Sequence, residues 1–264
     1  MRKFLLTLTT LCIALFAQAQ DVNTMYIYRN NGNIEEIPVT DIDSITFTKP
    51  ATNTPDVPTE PGQPTITAGE AIDLGLSVKW ASCNVGATKP YEYGGYYAWG
   101  ETEEKDDYGW DTYKWCSSYD SYYEQPTLSK YCNDDNKTTL DPEDDVAQVK
   151  WGGNWRMPTE AELDELHKNC TWEWTTLNGI NGYELTGPNG NSIFLPAAGD
   201  RDGTETYDQG EMGFYWTSTV ERLNFGFGDE SRKAWGIRFW WDAEPDYVES
   251  FGRSSGRSVR PVCE

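Results

Sequence analysis

Aromatic side chains dominate the apolar inventory of this chain, with 12 Trp, 16 Tyr and 9 Phe against 4 Met in 264 residues. Such a chain must build its core from large flat plates, and that composition separates it from disordered segments, which are poor in aromatics. The length suits one or two domains with a sizeable buried core. Lys+Arg number 21 and Asp+Glu 43, so the formal charge is 21 − 43 = −22. A nucleic-acid binder needs a basic face to displace counterions from phosphates, so that class is excluded. The same charge disfavours bare anionic surfaces and reduces self-association. His167 is the one histidine, which removes most zinc sites and every Ser-His-Asp or Cys-His scheme that does not use that imidazole. On the helix read below it sits beside Leu163 as a boundary residue.

Residues 1–19 have the form of a secretory signal. Arg2 and Lys3 form the charged start, Phe4 to Phe16 the apolar stretch and Ala17-Gln18-Ala19 the small-residue cleavage site. The apolar stretch is too short for a bilayer that needs about 20 residues. The expectation is therefore an exported protein, secreted or on the cell surface, with a mature start at Gln20 and no membrane insertion after signal removal. Beyond the signal lie Cys83, Cys116, Cys132, Cys170 and Cys263. An odd number in an oxidising compartment leaves at least one unpaired or bonded between chains. Cys116 and Cys132 flank a Tyr/Ser-rich loop and form the best local disulfide candidate, worth roughly 3 kcal/mol. The alternative is five buried thiols.

Residues 20–47 contain two apolar-bearing runs around Asn30-Asn31-Gly32, a strong hairpin signal. Residues 48–66 are rich in Pro and Thr without an apolar period and read as an extended, semi-rigid linker. The principal domain is thus 67–264. Within it, Ser77 to Val85 alternates as a strand and Tyr96 to Trp99 is a second short strand candidate. Glu101 to Asp145 is acidic and Tyr-rich with no clear period, and reads as a long excursion with little regular structure. Thr159 followed by Glu162 forms a capping box for a helix within 155–170. Leu163, Leu166 and Cys170 share its inner face. Residues 181–199 read as a hairpin that sets Tyr183 and Leu185 opposite Ile193 and Leu195. Further strands are expected at 213–219, 234–241 and 257–263. One helix and many short strands with Gly-rich turns define an α+β domain preceded by a small β-hairpin segment.

Several strings in this order, AIDLGLSVKWASCNVGA, GGYYAWGET, WGGNWRMPTEAELDEL, GPNGNSIFLPAAG, GFYWTSTV and GRSVRPVC, resemble the FISUMP (major paralogous) domain of secreted proteins from Bacteroidetes and Fibrobacteres. The resemblance covers about Ala71 to Cys263. The WRMPTEAELDEL stretch is also similar to the helix entry of formylglycine-generating-enzyme-like domains, a branch of the C-type-lectin-like fold. The resemblance implies a C-type-lectin-like domain with short strands and one or two helices, in which Ser77–Val85 pairs with Arg257–Cys263. It also implies long loops projecting from one side. The paired active-site cysteines of formylglycine-generating enzymes have no counterpart here, so the scaffold carries over and the oxidase activity does not.

Three constellations carry chemistry. Calcium is possible at Asp200 and Asp202, whose spacing and following Gly203 match the first half of a calcium loop, although the distal bidentate Glu is missing. Asp134, Asp135, Asp141, Glu143, Asp144 and Asp145 form a dense acidic cluster, unsurprising in so acidic a chain. Glu101 is the acid to test for glycoside hydrolysis, against the reading of a strand-end surface acid. The third constellation is a binding surface made of Arg222, Asn224, Phe225, Phe227, Trp235, Arg238, Trp240, Trp241 and Tyr247. Aromatic and Arg side chains give rigid contact area, and aromatic faces stack on sugars. In the strand Trp235–Trp240, alternation sends Ile237 and Phe239 to the core and Arg238 and Trp240 to the surface. Trp235 reads equally as core or surface. The expected function is non-enzymatic recognition of a glycan or cell-surface protein by a lectin- or adhesin-like protein. The runners-up are a secreted carbohydrate-active hydrolase and a structural surface protein.

Overall fold

The computed structural model describes residues 24–28, 34–38, 69–123, 125–222, 232–241 and 248–264. The signal-like segment and the Pro/Thr-rich linker lie outside the described residues. The chain divides into two compact units, Met1–Pro61 and Gly62–Glu264. In the first, β1 (Thr24–Tyr28) and β2 (Ile34–Pro38) pair antiparallel from Thr24↔Pro38 to Tyr28↔Ile34, on either side of the Asn-Gly turn signal.

The second unit runs through β3 (Ala71–Ile72), β4 (Lys79–Ala81), β5 (Cys116–Asp120), β6 (Gln125–Leu128), α1 (Val146–Trp151) and α2 (Glu160–Asn169). It continues with β7 (Thr171–Leu177), β8 (Ile180–Thr186), β9 (Ser192–Pro196), β10 (Asp200–Asp202), β11 (Glu205–Tyr207), β12 (Met212–Val220), β13 (Lys233–Trp240), β14 (Val248–Gly252) and β15 (Val262–Cys263). Small antiparallel sheets organise it, in the orders β15-β4-β3, β7-β8-β9 and β12-β13-β14, with two-stranded ribbons β5-β6 and β10-β11. The architecture is α+β with strands predominating. The expected pairing of the domain's first and last strands is found as Val262↔Trp80 and Cys263↔Lys79.

Local chemistry accounts for the helices. Thr159 Oγ1 accepts from the Glu162 amide at 3.3 Å while Glu162 accepts from the Thr159 amide at 2.7 Å, so two of the orphan donors at the start of α2 are satisfied. Arg156 grips the same carboxylate through two nitrogens at 2.8 and 2.6 Å. The inner face of α2 buries Leu163 and Leu166. The shorter α1, which the sequence pattern did not announce, starts at Asp145. That carboxylate accepts from the amides of Ala147, Gln148 and Met157.

The sheet β12-β13-β14 is packed on both faces. Tyr215, Ile237 and Phe239 enter one apolar cluster with Trp80, Leu163 and Leu185. Phe214, Trp216, Ala234 and Phe251 enter another with Trp99 and Tyr131. Gly213 lies opposite Phe239 in the ladder, and a Cβ there would sit 2.1 Å from the Phe239 ring, so only glycine lets that ring cross the strand. Polar edges of the aromatic plates reach backbone carbonyls: Trp99 Nε1 donates to Thr217 O at 2.8 Å and Trp216 Nε1 to Tyr97 O at 2.9 Å.

Two expected strands are not continuous. Tyr96–Trp99 makes a single bridge, with Tyr97 and Arg257 exchanging amide hydrogen bonds at 3.0 Å. The segment from Arg257 spreads its backbone bonds over Tyr97, Phe214, Trp216 and Val85 in turn, so only Val262–Cys263 remains as strand. The excursion 101–145 is more ordered than expected. It contains the ribbon β5-β6, and its Tyr108, Tyr113 and Tyr131 are buried.

Candidate functional site

The ladder register places Met212 and Phe214 of β12, Arg238 and Trp240 of β13, and Glu249 and Phe251 of β14 on one sheet face. Its inner part is sealed by Arg257, whose guanidinium lies 3.8 Å from the Phe251 ring centre, 4.7 Å from Phe214 and 4.9 Å from Trp216. Asp200 accepts from Arg257 Nη2 at 3.2 Å. Burial dominates this pair. It pushes Arg257 down to about 10 and raises the Asp200 carboxyl, each against the pull of the other's charge.

The outer part of the face is open. Glu211, Met212, Arg238, Trp240 and Trp241 line a cleft of about 320 Å³, the lower end of the range for small-ligand sites, ~300–1,000 Å³. Arg238 Nε stands 3.0 Å from Glu249 Oε1 and its guanidinium carbon 5.3 Å from the Trp240 ring centre. Tyr183 donates its hydroxyl to Trp240 O at 3.2 Å, tying the strand end to the β7-β8-β9 sheet. Trp241, one residue beyond β13, is 64% exposed. Chemically the cleft offers an indole surface and the Glu211 carboxylate beside the half-exposed Arg238–Glu249 ion pair.

Of the expected surface, the structure brings together Arg238, Trp240 and Trp241. Asn224, Phe225, Phe227 and Tyr247 lie outside the described residues. Two residues are reassigned. Trp235 is half-buried and, by alternation, on the Ile237/Phe239 side of β13, away from the cleft. Arg222 holds the 132–137 loop instead of a ligand: it donates to Cys132 O at 3.1 Å and to Lys137 O, and faces Asp135 at 3.6 Å. Glu211, Met212 and Glu249 were missed. The alternation that selected Arg238 and Trp240 contains them only once the partner strands and register are known.

Several of the acidic candidates are engaged internally. Glu101 is buried and accepts from Lys105 Nζ at 2.9 Å and the Lys114 amide at 2.7 Å, so it is not the surface acid expected at a strand end. Asp200 is committed to Arg257. Asp144 binds Lys130, Lys114 and Tyr131, and Asp141 binds Lys130 and Lys137. Among the described residues, no three His, Cys, Asp or Glu side chains gather as metal ligands. His167 is half-buried with its ring 6.1 Å from Trp172.

Among the described residues, none of the five cysteines is in a disulfide. The Cys116–Cys132 candidate is corrected to two separate thiols, with Cys116 at the rim of the cluster that buries Cys132. Burial pushes the Cys170 thiol up to about 11, aided by Glu165, away from a reactive thiolate. A second cleft of about 300 Å³ is lined by Gly69, Ala87, Trp151 and Trp155, the two indoles meeting edge to face at 5.2 Å.

No family model, curated protein or solved structure matches the chain.

Proposed function

We propose that this is an exported, non-enzymatic binding protein of lectin or adhesin type. Its second unit is a C-type-lectin-like domain related to the FISUMP domain, and its β12-β13-β14 face recognises a glycan or another cell-surface macromolecule. The observation that carries the reading is the open cleft in which an exposed Trp241 adjoins Trp240 and the Arg238–Glu249 pair, on strands packed from behind. Aromatic faces flanked by a few fixed polar groups suit stacking on sugar rings and hydrogen bonding to hydroxyls. The β4-β15 pairing supports the scaffold. The internal engagement of Glu101 favours binding over a hydrolase built on that acid.

The test is binding of the mature chain to a broad panel of microbial and host glycans, with calcium and with chelator. Saturable binding abolished by Trp241→Ala is the expected result. Binding untouched by that substitution refutes the site, and chelator sensitivity would bring a cation back into the reading.

A further inference from the structure

The charge balance of the cleft selects among glycans, and the inference rests on the binding function proposed above. Among the described lining residues the one cation is Arg238, whose charge is already offset by Glu249, 3.0 Å from Arg238 Nε. Glu211 adds a second carboxylate, and the described lining residues hold no second cation. Behind the cleft, Arg257 is paired with Asp200 and sealed under three aromatic rings, so it presents no free positive charge either. Among the described residues, the lining Glu211 and Arg238, together with Glu249 that pairs with Arg238 beside the lining, carry two negative charges and one positive, on a chain whose formal charge is −22.

We infer that the cleft takes a neutral sugar and excludes acidic ones, with the indoles of Trp240 and Trp241 supplying the stacking surface. The Arg238–Glu249 pair contributes hydrogen bonds to hydroxyls. A uronic or sialic carboxylate entering the same space would meet Glu211 and Glu249 before finding a free cation. An unpaired carboxylate in a partly desolvated site is costly. Specificity here comes from repulsion as much as from contact.

The experiment measures affinities of the mature chain for matched oligomers that differ only at C6, hexose against hexuronic acid, in the gluco, galacto and manno series. Wild type, Trp241→Ala and Glu249→Gln are compared at two salt concentrations. The inference expects Trp241-dependent binding of a hexose oligomer, about tenfold or more over its hexuronate, with little salt dependence. Glu249→Gln, which removes the carboxylate that offsets Arg238 at a half-exposed position, should narrow that preference by about tenfold. Trp241-dependent binding that favours hexuronates, or weakens steeply with salt, leaves the site standing and overturns the charge inference. Absence of Trp241-dependent binding to every oligomer overturns the inference together with the glycan reading beneath it.

Discussion

The buried pair behind the cleft gives the sharpest prediction. Asp200→Asn keeps the shape of the side chain and removes the charge that faces Arg257 Nη2. The guanidinium would then remain under Phe214, Trp216 and Phe251, with its Nε and Nη1 already lacking hydrogen-bond partners. Breaking a buried ion pair from one side costs ~3–5 kcal/mol. Glu249 and Asp202 still act on Arg257 from a distance, so the lower end, about 3 kcal/mol, is expected. For a domain of this size that is a fall in Tm of about 6–12 °C. Arg257→Met alone strands Asp200 instead, but a carboxylate can take up a proton. Burial has already raised the Asp200 carboxyl, so the deficit of Arg257→Met should shrink as pH falls through that raised value, whereas the Asp200→Asn deficit should not. The double variant replaces the pair by a neutral amide and a thioether and should recover most of the loss. Urea unfolding of the four proteins at pH 7 and pH 5 supplies the cycle. The reasoning fails if Asp200→Asn lies within about 1 kcal/mol of wild type, or if the double variant is no better than Asp200→Asn.

Thr159→Ala should cost about 1 kcal/mol by denaturant unfolding, because one orphan donor of α2 loses its acceptor. Burial alone would raise the Glu162 carboxyl, but the hydrogen bonds from Arg156 and the Thr159 amide hold it below its ordinary 4.5. A lowered carboxylate stabilises the fold above its unfolded value and loses that contribution as pH falls through the folded one. Tm should therefore drop on acidification below about 4.5, and Glu162→Gln should flatten that part of the profile. Gly213→Ala forces a methyl to within 2.1 Å of the Phe239 ring and should destabilise by ~1–3 kcal/mol, with partial recovery in Gly213→Ala/Phe239→Leu. Trp241→Ala, at an exposed position, should change stability by less than ~0.5 kcal/mol, so loss of binding in that variant reports on the site.

What the sequence made legible was local. The capping box needs four residues to declare itself, and Thr159 and Glu162 form it as expected. The 181–199 hairpin follows from alternation across a Gly-Pro-Asn-Gly turn, and Tyr183↔Leu195 and Leu185↔Ile193 are its register. The three late arginines are the opposite case. Arg253, Arg257 and Arg260 lie close together in sequence, and all are buried. Arg253 lies against the Trp99 ring and donates to Tyr113 Oη and to the Lys130 and Tyr131 carbonyls. Arg260 donates to Asn84 Oδ1, Ala81 O and Phe194 O. Their acceptors come from distant stretches of the chain, and no window around the arginines contains them. Arg222 was misread for the same reason, since its carbonyl acceptors belong to the 132–137 loop. The cleft was half legible: alternation along β13 exposes Arg238 and Trp240, but Glu249 enters only through the antiparallel pairing of β14.

That division bears on how the face works. A binding strand is useful when its outward side chains are held by what lies behind it, because every rotamer fixed before binding is one not immobilised during it. On β13 the backing is complete: Ile237 and Phe239 are fully buried on one side, and Gly236 lets Phe251 close in on the other. Arg257 stacks on Phe214, the ladder partner of Arg238, and on Phe251, two residues beyond Glu249 on the same face of β14, so the floor beneath the Arg238–Glu249 pair is fixed by buried charge and aromatic rings. Substitutions then divide by position. On the proposed reading, changes at Trp241 or Glu249 should alter recognition and leave folding nearly intact, whereas changes at Phe239 or Arg257 should reach recognition only by loosening the fold.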